Sequence, residues 1–97
     1  MMKEIMRCII VDDEPLAIKK LERLLKKVFF IKVEKTLNGS VAALKYMQTE
    51  EPDLVFMDIM MEDIDGLTAI DMMKSKPIVI LTTSFEEYAI KAYEMNI

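Results

Sequence analysis

Histidine is absent from the chain, and cysteine occurs once, as Cys8. Without imidazole there is no histidine general base, no histidine metal ligand and no phosphohistidine carrier. A lone cysteine excludes an internal disulfide and a multi-cysteine zinc site. With a start, Met1-Met2-Lys3-Glu4, that lacks a signal-peptide pattern, it sets the expectation of a reducing cytoplasm. Only 2 glycines and 3 prolines occur, too few for a low-complexity or disordered chain. The first apolar run is broken by Arg7, and no stretch approaches the roughly 18 apolar residues of a membrane span. Positive charge is in the minority, with 13 Lys and Arg against 17 Asp and Glu and a net charge of −4. That balance argues against an autonomous nucleic-acid binder, which needs a basic face to neutralise phosphates.

What remains is a globular composition, 53% hydrophobic and 31% charged over 97 residues, enough for one domain. Met6 to Val11 reads as a buried strand, short, apolar and closed by Asp12-Asp13. Glu14-Pro15 opens a helix, with proline suited to the first helical position and acids to the positive end of the dipole. Its apolar stripe is expected at Leu21, Leu24, Leu25 and Val28, with Lys19, Lys20, Glu22, Arg23, Lys26 and Lys27 around the wet side. Ile31 to Leu37 is a second strand, at an edge. Asn38-Gly39-Ser40 is a turn and helix start, with Val41, Leu44 and Met47 facing a core. Leu54 to Met57 is a third strand ending in Asp58. A loop from Met60 to Gly66 leads to a helix from about Leu67 to Ser75, stopped by Lys76-Pro77. Ile78 to Leu81 is a fourth strand, followed by Thr82-Thr83-Ser84. Ser84 and Glu87 stand at capping-box spacing for a helix from Phe85 to Met95. Short apolar strands alternating with amphipathic helices predict a parallel sheet covered on both faces.

In such sheets ligands bind beyond the carboxyl ends of the strands. The unusual polar residues stand at those ends: Asp12 and Asp13 after strand one, Asp58 after strand three, Thr82 and Thr83 after strand four. If strands one and three are neighbours, three carboxylates converge. Two unit charges about 4 Å apart interact by roughly 4 kcal/mol at an effective dielectric of 20, so the cluster calls for a counter-charge. Oxygen-only ligands suit Mg²⁺, whose open positions admit phosphate oxygens. One carboxylate can be a nucleophile for a phosphoryl group, and a nearby threonine hydroxyl can hydrogen-bond it. Taken singly, an Asp after a strand is an ordinary turn former or helix cap; the combination at three strand ends points to phosphoryl chemistry.

These residues resemble the response-regulator receiver family. Ile9-Ile10-Val11-Asp12-Asp13-Glu14-Pro15 matches its first strand and acidic pair. Leu54-Val55-Phe56-Met57-Asp58-Ile59-Met60-Met61, with Gly66-Leu67 beyond, is similar to its phosphoacceptor strand and loop. Ile80-Leu81-Thr82-Thr83-Ser84 and Glu87-Tyr88-Ala89 look like its fourth strand and helix, especially in members carrying a LytTR-type DNA-binding domain. The resemblance covers nearly the whole chain. It implies an α/β, flavodoxin-like doubly wound parallel sheet of order 2-1-3-4 and a domain, residues 1–97, phosphorylated by a sensor histidine kinase. Asp58 would be the phosphoacceptor. Asp13, Asp58 and the Met60 backbone carbonyl would bind Mg²⁺ directly, and Asp12 through a water. Thr83 would be the switch hydroxyl, in preference to Thr82, since successive strand residues face opposite ways.

Two departures from the family pattern stand out. Glu62 occupies the place of the usual loop proline. The family continues into a fifth strand ending in Lys-Pro and a fifth helix, whereas this chain ends at Asn96-Ile97. The expectation is therefore a C-terminally incomplete domain without the phosphate-binding lysine. Such a domain would expose a strand-four edge and be prone to form a homodimer there or through helix four, where Tyr88 and Tyr93 lie. Lys76-Pro77 is not that missing motif, because it precedes strand four and sits at the opposite end of the sheet. Cys8 reads as a buried small hydrophobe, and Met60-Met61 as a small exposed patch. Two other readings compete with a phosphoacceptor. One is a truncated or pseudo-receiver that only binds or dimerises, favoured by the missing lysine. The other is a haloacid-dehalogenase-type hydrolase, disfavoured because Met60 stands where such enzymes carry an acid. Neither the domain nor its reading as a signalling module makes it a conventional enzyme, and this segment is expected to bind neither DNA nor membrane.

Overall fold

The computed structural model describes residues 4–73 and 76–82. Its elements run β1 (Met6–Val11), α1 (Pro15–Leu25), β2 (Ile31–Leu37), α2 (Ser40–Tyr46), β3 (Leu54–Met57), α3 (Gly66–Met72) and β4 (Ile78–Leu81). All strand pairs are parallel, in the order β2-β1-β3-β4. This is the doubly wound sheet the alternation predicts, with the four strands at the expected residues. The anticipated helix from Phe85 to Met95, together with Thr83, Ser84, Tyr88 and Tyr93, lies outside the described residues.

The two central strands explain the order. Ile9, Val11, Val55 and Met57 are fully buried on one face, packed against Ala43, Leu67, Ala69 and Ile70 of α2 and α3. Cys8, Ile10, Leu54 and Phe56 are buried on the other, against Leu25, Ile18 and Leu21 of α1. A parallel strand covered on both faces reads as a near-continuous apolar run, and Cys8 to Val11 of β1 and Leu54 to Met57 of β3 are such runs, buried at every position. Alternation in β2 and β4 suits edges, and Ile78 and Ile80 of β4 remain 59% and 43% exposed.

The helices differ in rotation from the sequence expectation. On α1 the buried stripe is Ile18, Leu21 and Leu25, whereas Leu24 is exposed. Positions 18, 21 and 25 form an i, i+3, i+7 ridge that competes with the ridge through 24, and the sheet selects the first. On α2, Val41 is exposed and Ala43 is fully buried, with Leu44, Tyr46 and Met47 packed on the core. A small residue allows α2 to approach β1 and β3 closely, so Ala43 takes the place that size alone would give to valine. Met61 is buried, 9% exposed, and only Met60 of the expected methionine patch faces solvent.

At the amino ends of the strands a polar network closes the sheet. The β1–β2 register slips between Cys8 and Ile9, which leaves Glu34 without a β1 partner. This bulge turns Glu34 inward, where it accepts from Arg7 Nη1 at 3.2 Å and from Tyr46 Oη at 3.0 Å. Burial and the Glu34 carboxylate together push the Tyr46 phenol above its ordinary pKa. Arg7 Nη2 also donates to the Glu51 carbonyl, and the Arg7 amide donates to Asp53 Oδ2 at 2.8 Å. Lys76 lies at this same end, beside Arg7, Asp53 and Pro77. Its Nζ donates to the Ile70 carbonyl at 3.2 Å; α3 has already ended at Met72, with Met73 extended, so Lys76-Pro77 is not its stop and lies beside the amino rim.

Candidate functional site

At the carboxyl ends the strands finish level. Val11 pairs with both Leu37 and Met57, and Met57 with Leu81. Backbone bonds continue the ladder one residue further: Asp12 N–H to Leu37 O at 3.0 Å, Asp58 N–H to Val11 O at 3.1 Å and Thr82 N–H to Met57 O at 3.0 Å. Asp12 and Asp58 therefore leave adjacent strands side by side, with Asp13 next to them. One carboxylate oxygen from each of Asp12, Asp13 and Asp58 lies within 4.8 Å of the others. Asp12 is buried, Asp58 half-buried and Asp13 exposed.

The three aspartates predicted from the ends of strands one and three thus meet in space. Thr82 is exposed at the tip of β4; Thr83 lies outside the described residues. Each of the three carboxylates accepts one backbone N–H: Asp12 from Glu14 at 2.9 Å, Asp13 from Glu62 at 3.1 Å and Asp58 from Met60 at a long 3.4 Å. Among the described residues no lysine or arginine pairs with them. Burial raises the Asp12 carboxyl above its ordinary pKa, and the charges of Asp58, Asp13 and Glu14 push the same way against the Glu14 hydrogen bond. Three clustered anionic groups that offer only oxygen and lack a protein cation fit a hard divalent ion such as Mg²⁺.

The loop after Asp58 is folded tightly against the site. Ile59 is fully buried and anchors it, and its carbonyl accepts from Met61 at 3.1 Å and Gly66 at 2.9 Å. A Cβ on Gly66 would lie 2.4 Å from the Asp58 carbonyl oxygen and 2.9 Å from Ile59 Cα. Both are backbone atoms that cannot swing aside, so glycine is the residue that lets α3 start here. Asp65 caps α3 by accepting from the Thr68 amide at 3.0 Å. Asp65 and Thr68 stand three apart just before an apolar run, a cap signal that places the helix start at Gly66 and not Leu67.

Asp63 is the site neighbour that sequence reasoning missed. It accepts from the amides of Ser40 at 3.2 Å, Val41 at 2.9 Å and Ile64 at 2.8 Å. No spacing signature marks a carboxylate that caps a helix more than twenty residues upstream. By contrast Cys8, fully buried, has its thiol pushed up to about 11 by burial and the Glu34 charge, which keeps it an inert core residue.

A doubly wound parallel sheet with an acidic cluster at its carboxyl rim is the architecture of a receiver-like α/β domain, and residues 8–97 match the response regulator receiver domain family. The chain belongs to that family. It is 38% identical over 90 residues to the transcriptional regulatory protein BtsR of Salmonella typhi, covering 91% of this chain and 38% of that protein. It is 39% identical over 95 residues to the sensory transduction protein LytR of Staphylococcus saprophyticus, covering 94% and 37%. The chain therefore spans little more than a third of the length of these curated relatives. The crystal structure of the response regulatory domain of mrkE from Klebsiella pneumoniae superposes with a TM-score of 0.84 at 29% identity, covering 94% of this chain and 77% of that one.

Proposed function

We propose that this receiver domain accepts a phosphoryl group on Asp58 from a sensor histidine kinase in a Mg²⁺-dependent step. The observation that carries this reading is the convergence of Asp12, Asp13 and Asp58 at the level ends of β1 and β3, with no lysine or arginine of the described residues paired with them. Asp13, Asp58 and the Met60 carbonyl would hold Mg²⁺ directly and Asp12 through a water; the ion supplies neutralisation of the phosphoryl oxygens. An Asp58 carboxylate oxygen attacks phosphorus, the bond from phosphorus to the donor breaks, and the donor leaves with the electron pair. The amide of Met60 already donates to Asp58 and orients the attacking group. The Thr83 hydroxyl is assigned the role of hydrogen-bonding the transferred group.

On this reading the domain is a signalling switch in the cytoplasm that assists its own phosphorylation and hydrolysis and is not an enzyme for other substrates. Its acidic charge leaves DNA contact to an output domain in the full-length regulator. The test is intact mass after incubation with Mg²⁺ and acetyl phosphate. An acid-stable, base-labile adduct of one phosphoryl group in the wild type, absent in Asp58→Asn, is expected. An adduct that persists in Asp58→Asn removes the assignment.

A second reading, a module that only binds a second copy of itself, is favoured by the exposure of Ile78 and Ile80 along β4. Both isoleucines flank Leu54 and Phe56 in register, so together they extend the α1 face of the sheet outward as an apolar strip. Sedimentation that shows a dimer in wild type and in Asp58→Asn, with no adduct in either, selects this reading over the first.

A further inference from the structure

Two loops meet beside the carboxylate cluster without taking part in it. The first turn of α2 presents the amides of Ser40 and Val41, and the chain after Asp58 presents Asp63. Asp63 Oδ1 accepts from Ser40 N at 3.2 Å and Ile64 N at 2.8 Å, and Oδ2 accepts from Val41 N at 2.9 Å. The Ser40 hydroxyl, fully buried, also donates to the loop, to the Ile64 carbonyl. α2 has no side-chain cap of its own, since its N-cap residue is Gly39. Asp63 supplies that cap from the other loop, and the bonds joining the two segments run from donors on α2 to acceptors on the loop after Asp58.

The joined segment is the one that touches the site. Glu62, one residue before Asp63, donates its amide to Asp13 Oδ2 at 3.1 Å, and Met60 donates to Asp58 Oδ1 at 3.4 Å. Two of the three clustered carboxylates are therefore held by amides of a loop whose far end is pinned at Asp63. We infer that Asp63 is a positioning residue, a latch that ties the loop after Asp58 to α2 and thereby sets how tightly Asp13 and Asp58 grip Mg²⁺. The inference rests on the reading of the cluster as a Mg²⁺ site, and it reaches further: α2 and the metal site share a coupling free energy. Linkage makes that coupling reciprocal, so Mg²⁺ must strengthen the latch as much as the latch strengthens Mg²⁺ binding.

Gly39 offers an independent way to disturb the latch. A Cβ there would lie 2.8 Å from Asp63 Oδ2, and its φ of 173° is extended backbone that alanine adopts without strain. Gly39→Ala therefore displaces the carboxylate and removes no group from the metal site.

The experiment measures amide hydrogen exchange and Mg²⁺ affinity in wild type, Asp63→Ala, Asp63→Asn, Gly39→Ala and the Gly39→Ala/Asp63→Ala double variant. Without metal, Asp63→Ala is expected to speed exchange at Ser40 and Val41 and also at Met60 and Glu62, while β1 and β3 stay protected. With Mg²⁺, exchange at Ser40 and Val41 slows in wild type and not in Asp63→Ala, whose Mg²⁺ dissociation constant rises about fivefold or more. Asp63→Asn keeps an acceptor toward Ser40 and Ile64 and falls between the two. The double variant is no worse than Asp63→Ala alone, because both changes break one connection. Wild-type Mg²⁺ affinity in Asp63→Ala, or faster exchange confined to Ser40 and Val41, overturns the latch. If the wild type itself binds no Mg²⁺, the reading of the cluster fails; exchange at Met60 and Glu62 in metal-free Asp63→Ala then still decides whether the latch holds the loop.

Discussion

The two rims of one sheet treat their carboxylates in opposite ways. At the amino rim Glu34 accepts from Arg7 and Tyr46, and Asp53 accepts from the Arg7 amide. Glu34 and Asp53 there each have an opposite charge or a donor within the protein. At the carboxyl rim Asp12, Asp13 and Asp58 face one another, each with a single backbone N–H. The first rim serves folding. The second carries a local conflict that the rest of the chain tolerates, the usual mark of a functional place in an otherwise consistent design.

The sharpest way to probe the contrast is to add the missing cation. At roughly 100 times its dissociation constant a ligand bound only by the folded state adds about 2.7 kcal/mol, or a melting temperature higher by about 10 °C or more. Wild type is expected to show that rise with Mg²⁺ and Asp58→Asn to lose most of it; equal rises in both would place the ion elsewhere. Next in size, Arg7→Ala leaves Glu34 inward-facing with Tyr46 alone. The Arg7 side chain is 40% exposed, which limits the loss to about 1–2 kcal/mol, read as an earlier urea midpoint. Asp12→Asn has the reverse sign. It relieves repulsion in a buried group while keeping an oxygen for the Glu14 amide, and should stabilise the metal-free protein by about 1 kcal/mol. A destabilised Asp12→Asn would mean that the carboxyl rim is as well balanced as the amino rim.

The smallest effect is one of pH. The Val41 amide foremost, with those of Ile64 and Ser40, holds the Asp63 carboxyl below its ordinary pKa against the opposing effect of burial. Its folded-state pKa is depressed, so the unfolded chain binds the proton first as pH falls. The stabilisation is complete above about pH 4 and is lost as pH drops through the folded value. Acid titration of stability should show a shallower decline in Asp63→Asn than in wild type over that window; parallel curves would assign the bonds no linkage.

How much of this was legible in the sequence follows the range of each interaction. The strands were legible to the residue because the buried stretches of β1 and β3, Cys8 to Val11 and Leu54 to Met57, are apolar throughout, and short apolar runs closed by Asp12 and Asp58 have few other readings. Parallel pairing of β1 with β3 then brings the three carboxylates together. Helix rotation was less legible: Leu24 is as large as Ile18 and Val41 is larger than Ala43, yet Ile18 and Ala43 are the ones that pack on the sheet. Glu34 and Asp63 were invisible, since a bulge and a cap supplied from another loop depend on register and on a contact across the fold. Met61 shows the same limit, turned inward to meet the Ser40 hydroxyl at 3.8 Å.

Gly66 has a consequence for the gene as well as for the fold. Every amino acid reachable from a glycine codon by one base change carries a Cβ, and the backbone of Asp58 and Ile59 stands where that atom would go. A saturation library at this codon should therefore return wild-type signalling from synonymous changes alone, marking the position as intolerant although its residue performs no chemistry.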